Sequence, residues 1–153
     1  MKKFSFMKSS AKRRLISKLN ERFGISELPY LIIETSSGKY RAFSGSLTKE
    51  EIAQLNLATN IEIIGINLLK ERDGIELSFD SLSLLQEQIS SNVIEINKEE
   101  YEEWSRGNSI VFNSKQGEKV VKFSDYLVGF GKSNGERILN YVPRERRLKA
   151  KLK

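Results

Sequence analysis

The first regular pattern along the chain is helical. Between Ser9 and Arg22, the apolar residues Ala11, Leu15, Ile16 and Leu19 fall on one face, while Lys12, Arg13, Arg14, Lys18 and Arg22 spread over the remainder. This predicts a docking helix with a basic outer face, stopped at Gly24. Pro29 to Glu34 predicts a buried strand, Ser36-Ser37-Gly38-Lys39 a turn, and Tyr40-Arg41-Ala42-Phe43 an alternating return strand. Thr48 and Glu51 have capping-box spacing, which predicts a short helix with Ile52 and Leu55 inward. Ile61 to Leu69 is rich in β-branched residues and predicts a strand, followed by a hairpin turn at Arg72-Asp73-Gly74. Ile75, Leu77 and Phe79 alternate on the return, and Asp80 or Ser81 can cap a helix carrying Leu82, Leu85 and Ile89. Ser90-Ser91-Asn92 is the best place for a domain boundary.

Beyond that boundary the pattern changes. Val93 to Ile96 predicts a short strand. Asn97 and Glu100 again have capping-box spacing, for a helix carrying Tyr101 and Trp104 and ending near Gly107. Four apolar, alternating segments follow: Ser109–Phe112, Lys119–Phe123, Tyr126–Gly131 and Arg137–Val142, with turns at Gln116-Gly117 and Ser133-Asn134-Gly135 and a stop at Pro143. One strand, one helix and four short strands predict a small closed β-barrel with one packed, plugging helix. The expected fold class is therefore α+β, with a small N-terminal α/β domain over residues 1–90, built on a mixed sheet, and a barrel domain over 91–153.

Charge sharpens this division. The 153 residues carry a net charge of +6, unevenly placed. Residues 1–22 hold eight Lys or Arg against one acid, a net of +7, and residues 131–153 hold eight against two, a net of +6. The stretch between them has a net of −7. An acidic body with basic ends attracts polyanions, because each neutralised phosphate releases condensed counterions. No segment approaches the roughly 20 apolar residues of a membrane helix, and Met1-Lys2-Lys3-Phe4 lacks the apolar run of a signal peptide, so a cytoplasmic protein is expected. The chain has no Cys and no His. That removes thiolate nucleophiles, Cys/His zinc sites and Ser-His-Asp triads, and leaves a thin acid–base repertoire, so a non-catalytic protein without cofactor is expected. Gly131-Lys132-Ser133 resembles the end of a phosphate-binding P-loop, but Tyr126 stands where that motif needs Gly. Glu99, Glu100, Glu102 and Glu103 fit a solvated helix face better than a metal site.

The most distinctive segment is Val128-Gly129-Phe130-Gly131-Lys132, followed by Asn140-Tyr141-Val142-Pro143-Arg144-Glu145-Arg146-Arg147. Glycines flanking an aromatic permit close approach of another backbone, whether a nucleotide's or the protein's own at a tight bend. This pattern of Gly-aromatic-Gly-Lys, a turn, then Asn-x-x-Pro-basic resembles PUA-like domains, named for pseudouridine synthases and archaeosine transglycosylases. It is similar in particular to the C-terminal domain of Sun/fmu-type rRNA cytosine methyltransferases. It also resembles the stand-alone archaeal and eukaryotic ribosome-biogenesis factor in which a small α/β domain precedes the PUA domain. Trp104-Ser105-Arg106-Gly107-Asn108-Ser109-Ile110-Val111 looks like the helix-to-strand junction of such a domain, and Gly38-Lys39-Tyr40-Arg41-Ala42-Phe43 has the layout of the factor's first domain.

The resemblance implies RNA binding, in ribosome biogenesis or as an rRNA-modification accessory, with no catalysis. It implies RNA contacts at Arg106, Asn108, Lys132, Arg137, Asn140, Arg144, Arg146 and Arg147, with Lys149 in the same basic tail. Arginines would clamp phosphates, and Asn108 or Asn140 would read a base edge or a 2′-hydroxyl. Lys12, Arg13 and Arg14 form a secondary basic surface. The expected partners are rRNA or pre-rRNA, with assembly or modification proteins on the N-terminal domain. The alternative is a protein-interaction adaptor for which RNA binding is incidental. An RNA-modifying enzyme is the least supported reading.

Overall fold

A computed structural model describes residues 5–149. The signal-like opening, Met1 to Phe4, and the last residues of the basic tail, 150–153, lie outside the described residues.

The first sheet follows chain order. Strands β1 (Ser5–Phe6), β2 (Leu31–Ser36), β3 (Lys39–Phe43), β4 (Ile66–Glu71) and β5 (Ile75–Leu77) pair antiparallel with their sequence neighbours. Among the described residues this sheet is therefore antiparallel rather than mixed, each strand following its neighbour without a parallel crossover. Helix α1 (Ser9–Phe23) runs between β1 and β2 and buries Leu15, Leu19 and Phe23. It stops where expected, because Gly24 adopts φ 81° and its N–H donates to the Asn20 carbonyl at 2.9 Å. The short strand β1 carries no sequence signal of its own.

Other expectations shift by a few residues, each for a physical reason. Thr48 caps α2 (Lys49–Thr59) and Ile52 is buried, but Leu55 is 42% exposed rather than inward. The strand expected from Ile61 begins only at Ile66. Arg41 donates to the Ile64 carbonyl at 2.7 Å and also to the Gly65 carbonyl, so these acceptors are taken by a side chain instead of a ladder. Phe79 opens helix α3 (Phe79–Leu85) instead of ending a strand. The cap is Ser78, not Asp80 or Ser81, and its hydroxyl accepts from the Ser81 N–H at 3.1 Å.

The second sheet contains β6 (Val93–Glu95), β7 (Ile110–Val111), β8 (Gly117–Phe123), β9 (Tyr126–Ser133) and β10 (Arg137–Asn140), in the order β6-β8-β9-β10-β7. Only the β6–β8 pairing is parallel. The sheet curls into a half-barrel whose edges are β6 and β7. Helix α4 (Lys98–Ser105) packs against it. Ile94 from one edge and Ile110 from the other share a core with Trp104 and Ile138, so the helix fills the space that strand pairing would otherwise close. The fold is α+β, as the pattern of elements predicts, and the barrel is PUA-like, as the resemblance implies. It is open between β6 and β7 rather than closed, because α4 occupies the gap.

The two sheets meet along a packed seam. Val120 and Phe130 point away from the barrel core and join the apolar cluster of α1 and the first sheet. The Phe130 ring meets Phe23 edge-on, with centroids 6.0 Å apart. Around this contact, Arg22 pairs with Glu118 at 3.0 Å, and the Asn92 side chain donates to the Arg22 carbonyl.

Candidate nucleic-acid interface

The Gly-Phe-Gly segment of β9 faces two ways. Trp104 is fully buried, and its indole N–H donates to the Val128 carbonyl at 3.1 Å. A Cβ on Gly129 would meet the indole at 2.6 Å, and one on Gly131 would collide with the Leu139 carbonyl and lie 2.9 Å from the same ring. The glycines are therefore occupied by the protein's own helix rather than kept clear for a nucleotide backbone. Phe130, between them, fills the seam on the opposite face. The barrel-bend reading of these glycines is the one that holds.

The helix-to-strand junction gathers several nominated residues. The capping box is complete: the Asn97 side chain accepts from the Glu100 N–H at 2.8 Å, and Glu100 accepts from the Asn97 N–H at 2.9 Å. At the other end of α4, Arg106 is exposed and pairs with Glu103 at 3.5 Å. Asn108 donates to Glu103 at 2.8 Å. Arg137 reaches the Ser109 hydroxyl at 3.0 Å from the outer side of β10. Arg106, Asn108 and Arg137 thus sit together on one rim, held by contacts that a phosphate could replace.

Three nominated residues are structural instead. Asn140 donates to the carbonyls of Trp104 at 2.8 Å and Asn108 at 3.0 Å, while its side-chain oxygen accepts from the Val142 N–H at 2.8 Å. Both of its amide N–H donors are engaged at the junction, which gives the side chain a structural role there. Arg147 lies over Gly107 and donates to the Val142 carbonyl at 3.0 Å. Arg146 turns towards the other half of the molecule, where it pairs with Asp80 at 2.8 Å and stacks over Phe79 at 5.7 Å. These two arginines pin a short 3₁₀ turn (Arg144–Arg146) to the body. Arg144 and Lys149 remain exposed and make no side-chain hydrogen bond or ion pair among the described residues. In α1, Arg13 and Arg14 are exposed, whereas Lys12 donates to the Tyr30 carbonyl at 2.7 Å. Burial, and then Lys49, lower the Lys12 pKa from its ordinary value.

Lys132 stands apart from the junction. It lies on the seam side of β9, cross-strand from Glu118 and Leu139. There it faces Lys70, Arg72 and Glu76 of the β4–β5 hairpin and Tyr141 across an open groove of about 230 Å³. A second cleft of about 450 Å³ continues from it, lined by Lys39, Tyr40, Asn67, Phe79, Tyr141 and Pro143 among others. Lys39, Lys70, Arg72 and Tyr141 are not among the RNA contacts expected from the sequence. They come from distant segments that only the packing of the two sheets brings together.

Residues 91–148 match the family model described as the methyltransferase RsmF PUA domain. No curated protein matches the chain. The matched stretch contains the half-barrel, α4, the Gly-Phe-Gly segment and the docked arginines of the 3₁₀ turn. Residues 91–148 are thus similar to the PUA domain of the RsmF, Sun/fmu-type methyltransferases.

Proposed function

We propose that the chain is a non-catalytic RNA-binding protein that serves ribosome biogenesis or rRNA modification as an accessory factor, with rRNA or pre-rRNA as ligand. The match of residues 91–148 to a PUA domain attached to methyltransferases carries this reading. The free cations of the second half support it. Arg144 and Lys149 stand exposed beyond the barrel, and Arg106 and Arg137 sit at the junction in exposed pairings worth little in water. Phosphates can take over these guanidinium donors with little cost.

Fluorescence anisotropy of single-stranded RNA over a salt series tests the proposal. Affinity should fall steeply with salt, and changing Arg106, Arg137 and Arg144 together to Ala should weaken binding and flatten the salt slope by about 0.7 per lost phosphate contact. The melting temperature should stay nearly constant. Absence of measurable RNA affinity in the purified wild type would overturn the reading.

A second reading, an adaptor for assembly proteins, has one specific support. Leu57 and Ile63 are 89% and 76% exposed on and after α2. Retention of partner proteins after nuclease treatment, by a wild type lacking RNA affinity, would favour it.

A further inference from the structure

Both halves of the molecule build the cleft along the seam. We propose that it holds one unpaired nucleotide of a bound RNA strand, the base among Tyr40, Phe79 and Tyr141 and the flanking phosphates on Lys39, Lys70 and Lys132. This rests on the RNA-binding reading above and extends the binding surface onto the first sheet.

Size and lining both suit a nucleotide. The cleft of about 450 Å³ falls within the usual range for small-molecule sites, and it opens into the 230 Å³ groove that Lys132 borders. Its aromatic walls are fixed. Tyr141 is 38% exposed, its N–H is bonded to the Phe130 carbonyl, and its ring lies 6.3 Å from that of Phe130. Phe79 is held beneath the Arg146 guanidinium. A preformed aromatic surface stacks a base without the cost of ordering it.

The charges are arranged as a single nucleotide would require. Glu71 of β4 and Glu118 of β8 are each bound by α1, to Lys18 and Arg22 at 3.0 Å, while Asp73 and Glu76 of the hairpin line the groove without an ion pair among the described residues. That leaves Lys70, Arg72 and Lys132 facing the groove with no side-chain partner among the described residues. Lys39 and Lys70 are cross-strand neighbours, and Glu76 is the next residue across from Lys70. A duplex backbone would call for an unbroken row of cations. Asp73 and Glu76 among these cations instead offer acceptors for base N–H groups, with the cations left for the phosphates on either side.

The test uses the full chain, a short fluorescein-labelled single-stranded RNA of mixed sequence, and the same RNA annealed to its complement. Tyr141→Leu keeps apolar bulk and loses stacking, so single-strand affinity should drop about tenfold or more while duplex affinity stays level. The double variant Lys39→Ala/Lys70→Ala removes only exposed side chains and should reduce the salt slope by about 1.4. Wild-type affinity and slope in both variants would overturn the inference. Should Tyr141→Leu lower the melting temperature, the lysine double variant decides alone. If wild type binds RNA and only the Arg106/Arg137/Arg144 variant weakens it, the cleft assignment falls and the RNA-binding role stands. If wild type binds no RNA, both fall.

Discussion

Asn140 shows how a residue that resembles a base reader becomes a structural clamp. Its amide group ties the end of α4, the start of β7 and the turn before Pro143 through bonds of 2.8 to 3.0 Å. Asn next to a strand end commonly organises such turns. Asn140→Ala should leave two carbonyls and one N–H short of partners and cost about 2–3 kcal/mol by urea unfolding. A stable variant with reduced RNA affinity would instead make Asn140 a contact residue. Lys119 allows a second test at this scale. It is only 6% exposed, and its ammonium donates to the Asn92 side chain at 3.1 Å. Burial is the main cause of its lowered pKa, with Lys115 adding to the effect and Glu118 opposing it. Because the folded value lies below the ordinary 10.5, carrying the charge costs stability at neutral pH. That cost fades as pH rises through the lowered value towards 10.5. Tyr40 works the other way: burial, then Glu34 and Glu71, raise its pKa above 10.0, so stability is lost as pH climbs past that point. Comparing wild type with Lys119→Met isolates the lysine. The wild type should gain on the variant between pH 7 and pH 10, and parallel stabilities at the two pH values would refute the assignment.

At the level of elements, α4 and β9 depend on each other. Trp104 needs the bare backbone of Gly129 and Gly131, and the glycines in turn leave a slot that only a large ring fills. Gly131→Ala drives a methyl group into the Leu139 carbonyl, so it should destabilise by about 1–3 kcal/mol or more. Trp104→Ala empties the slot and should cost about 3–5 kcal/mol. Thermal melts of both variants check this, and a neutral Gly131→Ala would mean that β9 can move away from β10. Elements with local signals were legible in the sequence. The Asn97–Glu100 box, the Gly24 stop and the Arg72-Asp73-Gly74 turn each depend on residues within a few positions. What was missed depends on distant partners. Arg41 takes the carbonyls of Ile64 and Gly65 and so delays β4, an effect no pattern in residues 61–69 records. The site follows the same rule. The basic tail was visible as charge, but which cations are free was not, since Arg146 is neutralised by Asp80, 66 residues away.

Across the whole molecule, the seam decides whether the two sheets act as one body. Val120 and Phe130 belong by sequence to the PUA-like barrel, yet they complete the core of α1 and the first sheet. Arg22–Glu118 and Arg146–Asp80 border the contact, and as half-exposed pairs they add little beyond orientation. The apolar contact therefore carries the coupling. Removing the Phe130 ring leaves a cavity against Phe23 that neither half can collapse without moving the other. Phe130→Ala should cost about 3–5 kcal/mol. The wild type should unfold in one transition seen alike by calorimetry and by Trp104 fluorescence, because a loss of the first core exposes the outer face of the barrel sheet. In Phe130→Ala that link is cut. The calorimetric peak should broaden or split, and Trp104, buried wholly within the barrel, should report only the later part. RNA affinity offers an independent reading of the same coupling, since the cleft between Lys70 and Lys132 exists only while the seam is closed. A variant that melts in a single sharp transition, with the cleft-dependent salt slope intact, would show that the two halves keep their arrangement without this ring.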